Sequence, residues 1–309
     1  MRWTTYLSPT DQAQHIGLVK ERQIHGLRET TRLLDLLDDA DAMAAAAERA
    51  LADPIDVLDL DAAEVLAPIP VPPSVRDFYA FEAHVLACSK ALEQPINPDW
   101  YELPVFYFQN PQATRGHRAD VELAPGSTRF DFELEVAAVV GKAGRDLHPD
   151  EAEEHVAGYM LLSDWSARDL QAREMRQTMG PVKGKDTATS YGPYLITPDE
   201  LAGRRGGNAY DLKMTATVNG KPYSSGNLGD LYWSFGQMMA YASRGTQLVP
   251  GDIIGSGTVG TGCILELSLV HGEDKFPFLQ PGDEVRLEAE ELGAISCRLR
   301  EGSSVIALR

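Results

Sequence analysis

Apolar residues along this chain fall into short runs separated by Gly, Pro, Asn and Asp, which is the pattern of β-strands joined by turns. Asn219-Gly220, directly after one such run, is typical of a hairpin turn. The pattern therefore predicts a mainly β fold with some helices, an α+β arrangement of the sandwich or roll type. The runs that predict strands are Pro104 to Phe108, Glu133 to Val140, Leu212 to Val218, Cys263 to Val270 and Glu284 to Ala289.

The first part of the chain also contains helical patterns. Thr31 to Leu37 and Met43 to Leu51 are rich in leucine and alanine, which favour helix. Four prolines between Leu66 and Pro73 remove backbone donors and fix φ, so we expect a stiff, extended connector there. We therefore predict a small N-terminal domain at residues 1–67 and a larger domain at residues 68–309.

Composition excludes several classes of protein. The chain has 309 residues, of which 43% are apolar and 24% charged, as is ordinary for a globular protein. Its formal charge of −18 argues against a nucleic-acid surface. Three scattered cysteines indicate neither a zinc site nor a disulfide framework. Because the chain starts without an apolar signal core and has no run of eighteen apolar residues, we expect a cytoplasmic protein that does not interact with membranes.

The β run from Glu133 to Val140 places two acids on one face of an otherwise apolar strand. Glu133 and Glu135 are two residues apart, so their side chains point the same way, and Asp164 ends another strand-like run further on. Three hard oxygen ligands suit Mg²⁺, Mn²⁺ or Ca²⁺ better than zinc. The alternative is that both glutamates form the solvated face of an edge strand, with Leu134 and Val136 in the core.

A helix is predicted from Ser166 to about Gln177, because Ser166 and Asp169 resemble a capping box. Arg168 and Gln171 would lie on one face of that helix. They are candidates for gripping an anionic, oxygen-rich substrate. The alternative is a surface ion pair between Arg168 and a helix acid, which would contribute little.

The glycine-containing loop around Gly184-Lys185 resembles a phosphate-binding loop but does not match one. Its glycines are one residue too close together, and Asp186 stands where a metal-binding Ser or Thr should follow the lysine. Lys185 could still oppose a developing negative charge. A solvated surface lysine is the alternative.

Several other candidates have no local feature that decides their role. Asp77 and Tyr79 could be a turn acid and a core aromatic, and a lone histidine such as His84 is more often structural than catalytic. Glu266 lies in an apolar run that we interpret as a strand, and if buried it would need a partner such as His84. Thr258, in a glycine-rich stretch, could donate to a substrate oxygen or merely join two strands.

Taken together, from about Pro68 to the C-terminus, these motifs resemble the fumarylacetoacetate hydrolase family in their order and spacing. The resemblance rests on Asp77-Phe78-Tyr79 with His84, Glu133-Leu134-Glu135, Asp164 to Asp169 with Gln171, Gly184-Lys185, Gly257-Thr258 and Leu265-Glu266-Leu267. It implies the fold of that family for residues 68–309.

The resemblance also implies a role for each residue. His84 matches the general base, and Glu266 matches the residue that orients it. Lys185 matches a residue that opposes negative charge during catalysis. The metal ligands would be Asp77, Glu133, Glu135 and Asp164, and the substrate-binding residues would be Tyr79, Tyr107, Arg168, Gln171 and Thr258.

The implied reaction is hydrolysis of a carbon-carbon bond in a 1,3-diketone, with a divalent cation and with His84 taking a proton from water. Two differences between this sequence and the family's motifs bear on the choice of substrate. Val85 to Pro95 contains no arginine where fumarylacetoacetate-cleaving members have one, and Met175 replaces a tyrosine. We therefore expect an acylpyruvate or another 1,3-diketone with a more apolar tail.

Two alternatives remain at this stage. Some family members decarboxylate or tautomerise 2-oxo acids on the same kind of metal site. The other alternative is that the protein is not an enzyme but binds a divalent ion for a structural or interaction role. That function would not explain why His84, Arg168 and Lys185 occur together. The resemblance further implies a homodimer.

Overall fold

The computed structural model describes all of residues 1–309. Its largest element is a mixed sheet of twelve strands. Ten of its strands form one continuous path, and the last two branch from the strand that ends at Asp164. The path runs through Val57–Asp59, Gln23–Gly26, Gln14–Lys20, Arg2–Leu7, Leu195–Ile196, Val156–Asp164, Leu134–Val140, Ile253–Gly255, Val75–Phe78 and Phe106–Gln109, and the branch consists of Thr189–Tyr191 and Thr114–Gly116.

A second sheet of five strands packs against this one through a large apolar core. The remaining strands form three short two-stranded ribbons. The five strands are, in order, Lys221–Asn227, Lys213–Val218, Glu284–Ala289, Gly293–Arg300 and Val121–Glu122, and the ribbons pair Gly144–Arg145 with Gln247–Leu248, Phe130–Asp131 with Ser166–Ala167, and Arg205–Gly206 with Ala209–Tyr210.

Six α-helices and seven short 3₁₀ turns connect the strands. None of the helices is both long enough and apolar enough to cross a membrane. The helices are Ala40–Ala52, Glu82–Ala91, Pro149–Ala152, Arg168–Met175, Phe235–Ala242 and Ile264–His271, and the 3₁₀ turns are Leu33–Leu36, Pro98–Tyr101, Pro111–Ala113, Glu153–His155, Lys183–Lys185, Pro198–Arg204 and Leu228–Asp230.

The strand Leu134–Val140 is central and is buried on both faces. Its even-numbered residues join the core between the two sheets, whereas Ala137 and Val139 pack with the N-terminal helix Ala40–Ala52. Burial on both sides explains why this run is almost continuously apolar. It also means that any charged side chain on this strand enters the protein interior.

Most predicted elements are confirmed. The mainly β, α+β character is observed, and the strand Glu284–Ala289 has the predicted bounds. Asn219 and Gly220 adopt φ values of 51° and 75° between two paired strands, as a tight hairpin turn requires. The second N-terminal helix is present as Ala40–Ala52, while the first is only the 3₁₀ turn Leu33–Leu36.

Two local predictions are wrong. The run Cys263 to Val270 is not a strand, because Ile264–His271 is a helix, with Cys263 as its N-cap. An apolar run of this length does not distinguish strand from helix. The capping box at Ser166 is absent, because Ser166 lies in a short strand and Ala167 caps the helix without a side-chain hydrogen bond. Asp169 instead accepts hydrogen bonds from Ser127 and Thr128.

The N-terminal part contributes four strands to the large sheet. Arg2–Leu7 pairs with Leu195–Ile196, so the sheet continues across the proline-rich connector. This continuity does not test whether residues 1–67 fold alone, and the boundary at residue 68 stays a prediction.

Candidate active site

Four carboxylates from three neighbouring strands meet in the interior. Asp77 lies in Val75–Phe78, Glu135 in Leu134–Val140 and Asp164 at the end of Val156–Asp164, while Glu133 directly precedes the middle strand. Each residue contributes one carboxylate oxygen to the cluster, and these four oxygens all lie within 4.8 Å of one another. Because Glu135 and Asp164 are 0% exposed and Glu133 only 7%, the alternative of a solvated edge strand is wrong.

The pairing of the strands brings these acids together. Leu134–Val140 pairs on one side with the strand that ends at Asp164 and on the other with Ile253–Gly255. Gly255 stands opposite Asp77 in a parallel pair. A Cβ atom on Gly255 would lie 2.3 Å from Asp77 Oδ1, so glycine is needed for the Asp77 side chain to occupy this position.

Lys185 and Arg168 are the two cations of the cluster. Lys185 Nζ lies 2.5 Å from Glu133 Oε2 and 2.6 Å from Asp164 Oδ2, and an Arg168 nitrogen lies 2.8 Å from Glu133 Oε1. Both side chains are buried, which excludes the surface ion pair and the solvated lysine considered above. Gly184 packs so closely on the backbone of Gln171 that a Cβ would lie 2.7 Å from its nitrogen, which positions the lysine turn.

Electrostatics in the cluster favour an additional positive charge. Burial first, and then repulsion from neighbouring acids, raises the pKa of Glu135 well above its usual range. Burial also raises the pKa of Asp164 and Asp77. For Glu133 the attraction of Lys185 and Arg168 outweighs burial, and its pKa is lowered. Glu133 is therefore the acid of the cluster whose negative charge is neutralised by side chains of the protein, Lys185 and Arg168.

The donor set fits a divalent metal ion. Glu135 Oε2 and Asp164 Oδ1 are buried without any hydrogen-bond partner, which is costly for carboxylate oxygens. All four candidate ligands are hard oxygens, the type that Mg²⁺, Mn²⁺ and Ca²⁺ prefer. The arrangement can hold such a cation, and its chemistry does not select one of the three.

His84 and Glu266 form a buried pair. His84 Nδ1 lies 2.6 Å from Glu266 Oε2, and the Thr261 N–H donates to Glu266 Oε1 at 2.9 Å. Burial lowers the pKa of His84, but contacts with Cys88 and Glu266 outweigh it and raise that pKa to about 9. No protein group hydrogen-bonds to Nε2, which is left free for a water or a substrate.

The other candidates surround these two groups. The Tyr107 hydroxyl donates to Asp77 at 3.0 Å and also contacts Asp164. Thr258 Oγ1 lies 3.4 Å from Glu135, and Gln171 accepts from Arg168 at 3.2 Å. The Tyr79 ring stands edge-on to His84, with centroids 5.5 Å apart. Every candidate is therefore near the carboxylates or the His84 pair.

Sequence reasoning missed two polar residues of the site. Asp131 is fully buried and pairs with Arg168 at 2.8 Å, and Gln109 donates to Asp77 at 3.0 Å. Asp131 had a usable signal, since it precedes Glu133 and Glu135 with the same two-residue period. Gln109 had none, because its role depends on the pairing of its strand with that of Asp77.

Comparison with known proteins agrees with this geometry. The family model described as the fumarylacetoacetate (FAA) hydrolase C-terminal domain matches residues 74–300. A human mitochondrial oxaloacetate tautomerase is 31% identical over 85% of this chain and 78% of its own length. Rice fumarylacetoacetase is 30% identical over 73% of this chain, and the match spans only 65% of the rice enzyme.

Solved structures share the fold. Fumarylacetoacetate hydrolase from Exiguobacterium antarcticum superposes with a TM-score of 0.72 at 25% identity, covering 97% of this chain and 99% of that one. Maleylpyruvate hydrolase from Sphingobium, solved with manganese(II) and pyruvate, gives a TM-score of 0.73 at 22% identity over 98% and 100% of the two chains. The chain belongs to the fumarylacetoacetate hydrolase family.

Proposed function

We propose that the protein is a metal-dependent hydrolase that cleaves a carbon-carbon bond in a 1,3-diketone, such as an acylpyruvate or a fumarylacetoacetate-like compound. The observation that carries the proposal is the buried His84–Glu266 pair, at 2.6 Å, next to the carboxylate cluster. The two sites are close enough for the charge of His84 to lower the pKa of Glu133. A base beside carboxylates that would hold a divalent cation can activate a water molecule.

The proposed metal ligands are Asp77, Glu133, Glu135 and Asp164. A bound Mg²⁺, Mn²⁺ or Ca²⁺ would act there as a Lewis acid for the oxygens of a diketone. The Sphingobium maleylpyruvate hydrolase was solved with manganese(II), so we include that ion in the assays below.

His84 is the proposed general base. Its Nδ1–H donates to Glu266, which fixes the tautomer and leaves Nε2 to take a proton from water. Glu266 then stabilises the imidazolium that forms. With a pKa of about 9 the imidazole is mainly protonated at neutral pH, and any added positive charge in the carboxylate cluster would favour its neutral form.

The cations are the proposed anchors for the substrate. Arg168 presents a planar guanidinium and Gln171 lies 3.2 Å from it, while Lys185 stands between Glu133 and Asp164. Such donors hold carboxylate and enolate oxygens and oppose the charge that develops on them. Tyr79, Tyr107 and Thr258 complete the proposed binding set.

The far end of the substrate is proposed to be apolar. No arginine occurs between Val85 and Pro95, and the exposed thioether of Met175 is on the helix that carries Arg168. A second terminal carboxylate would find no arginine in the first place and no tyrosine in the second, whereas an alkyl or aryl group can pack on methionine.

An enol-keto isomerase or 2-oxo acid decarboxylase is the second candidate. The observation that favours it is the similarity to the human oxaloacetate tautomerase, which covers more of this chain than the match to rice fumarylacetoacetase. Tautomerisation needs proton transfer but no water attack, and an imidazole held by a carboxylate can also donate a proton.

The test is an assay of the metal-loaded protein with Mg²⁺ or Mn²⁺ and a panel of acylpyruvates, fumarylacetoacetate and oxaloacetate. Diketone absorbance is followed and the products are identified by mass spectrometry. Loss of diketone to two acids, abolished by chelator and in His84→Gln, is the expected result. His148→Gln is the matched control, because His148 is exposed and precedes a helix outside the site.

Other products would reject the hydrolase. Carbon dioxide or an interconverted enol and keto form, without cleavage of any diketone, would assign the second candidate. We also propose the homodimer that the family resemblance implies, and sedimentation velocity would test it.

A further inference from the structure

Asp131 is a buried acid that neither the proposed metal set nor the proposed substrate set uses. Its side chain is 0% exposed and belongs to the short strand Phe130–Asp131. Such a carboxylate is tolerated only where donors surround it. The identity of those donors indicates what the residue does.

One group of donors belongs to the helix Ile264–His271. The Ile264 N–H donates to Asp131 Oδ1 at 2.7 Å, and the Leu265 N–H donates to Oδ2 at 2.9 Å. These are the first two amides of the helix, which have no partner within the helix itself. A negative charge at this end is also favoured by the helix dipole. Asp131 therefore holds the start of the helix whose third residue is Glu266.

The other donor is Arg168. Its Nε donates to Asp131 Oδ2 at 2.8 Å, while another nitrogen of the same guanidinium lies 2.8 Å from Glu133 Oε1. Because the guanidinium is planar, contact with Asp131 on one edge fixes the direction of the other edge. Asp131 thus orients one of the two cations that neutralise Glu133.

The two groups meet on one carboxylate. From Asp131 one path leads through the helix to Glu266 and His84, and the other leads through Arg168 to Glu133. We propose that Asp131 is a positioning residue that holds the His84–Glu266 pair and the Arg168–Glu133 pair in one fixed relative arrangement. The inference rests on the proposed function in taking His84 and Glu266 as the proton-transfer pair and Glu133 as a metal ligand.

The test measures the pKa of His84 in the metal-free protein, by NMR of the labelled imidazole, in Asp131→Asn. The amide cannot accept from both helix amides and from Arg168, because one of its two polar atoms is a donor. The helix should loosen, the Glu266–His84 contact should lengthen, and the pKa of His84 should fall by about 1 unit. No substrate is needed, so failure of the proposed reaction would not affect this result.

A double-mutant cycle separates positioning from a simple loss of charge. If Asp131 acts through Glu266, Asp131→Asn should cause no further shift in a Glu266→Gln background. The same shift in both backgrounds would overturn the proposal, and so would an unchanged His84 pKa in folded Asp131→Asn. The groups that face His84 are Glu266, Cys88 and Tyr79, with Glu133 close enough to interact with its charge, and the first substitution replaces none of them.

The Arg168 path has its own readout. Released from Asp131, Arg168 should no longer hold Glu133 in a fixed position, so one proposed metal ligand loses its orientation. We expect manganese binding, measured by calorimetry, to weaken about tenfold in Asp131→Asn. Unchanged affinity would show that Asp131 serves the helix alone and would overturn the joint role.

Two further variants guard against a purely structural explanation. Asp56→Asn removes another buried acid, which accepts from Tyr6, Ser8 and Thr10 far along the sheet, so it should lower the melting temperature without moving the His84 pKa or manganese affinity. If Asp131→Asn does not fold, Asp131→Glu keeps the charge with a longer reach and should shift both readouts in the same directions. Unchanged readouts in folded Asp131→Glu would then count against the proposal.

Discussion

Two buried acidic sites in this protein solve the same physical problem in opposite ways. Asp56 accepts hydrogen bonds from the hydroxyls of Tyr6, Ser8 and Thr10 at 2.9, 2.6 and 2.6 Å. Burial alone would raise its pKa, but these hydroxyls outweigh burial and lower it. In the carboxylate cluster, by contrast, the pKa of Glu135 is raised and one of its oxygens has no partner.

The difference teaches how to separate a structural acid from a functional one. Neutral hydroxyls satisfy a single carboxylate completely, so Asp56 needs nothing from outside the chain. Four carboxylates within 4.8 Å repel one another, and Lys185 and Arg168 neutralise mainly Glu133. A further cation would offset this repulsion, which the hydroxyl-bound Asp56 does not need.

The strongest test of this contrast is Glu135→Gln. The change removes a proposed ligand and one repelling charge, so we expect manganese affinity to fall at least about 100-fold, together with activity. Because the folded-state pKa of Glu135 is raised, its ionisation destabilises the metal-free protein as pH rises above about 4.5. The metal-free variant should therefore melt higher than the parent at pH 7, measured by calorimetry with chelator. If metal-free Glu135→Gln melts at a lower temperature than the parent, the carboxylates of the cluster do not destabilise the metal-free protein by repelling one another.

Glu266→Gln should have the next largest effect, about 100-fold on kcat. The substitution removes a contact that raises the pKa of His84 and leaves burial, which lowers it. The acidic limb of the kcat/KM profile should therefore move to lower pH. An unshifted limb would mean that His84 is not the group that titrates.

The same pair has a consequence for stability. The pKa of His84 is raised from 6.5 to about 9, so its contribution is fully present below about pH 6.5 and is lost as pH rises through about 9. Urea unfolding of the parent and of Glu266→Gln across this range checks the sign, and their difference should shrink as pH rises.

Gln109→Met should have a smaller effect. The amide donates to Asp77 at 3.0 Å and accepts from Thr189 at 2.9 Å, so it orients one proposed ligand without being one. We expect about tenfold weaker manganese binding with little change in kcat at saturating metal. Equal affinity for metal would show that Tyr107 and the Gly257 N–H are enough to hold Asp77.

Asp56→Asn should leave metal binding and activity unchanged. It should cost about 1 to 3 kcal/mol of unfolding free energy at pH 7, because a buried network loses its charged acceptor. Since the folded-state pKa of Asp56 is lowered, its contribution is present above about pH 3.8 and is lost as pH falls through the folded value. The loss should therefore disappear in acid unfolding curves, and any effect on activity would undo the distinction between the two sites.

How much of the site could be predicted depended on whether its signal was local. Glu133 and Glu135 follow the two-residue period of a strand, so their shared face was visible in the sequence. The strand itself, with a continuous apolar run, was equally clear. Asp164 and Lys185 were also candidates from their local sequence, but their meeting with Glu133 depends on a fold that brings distant segments together, and only the resemblance to a known family indicated that.

Other features had no readable signal. The apolar run around Glu266 fits a strand or a helix, and the capture of its first amides by Asp131 is a tertiary contact. Gln109 likewise acquires its role from the neighbouring strand. The joining of the N-terminal strands to the large sheet was also hidden, because strand pairing is not encoded in the pattern of a single strand. The cytoplasmic location stays a prediction, since one relative is mitochondrial.

The hydrogen bond from the Gly257 N–H to Asp77 joins positions 180 residues apart, and the His84–Glu266 pair spans 182. Contacts of such long range form late during folding, after the entropy of closing a very long loop has been overcome. We therefore expect the cluster to assemble late, so that a metal ion finds no complete site while the chain is still collapsing. Manganese should leave the rate of refolding almost unchanged and slow unfolding instead, so that the ion extends the lifetime of the native protein rather than guiding its formation.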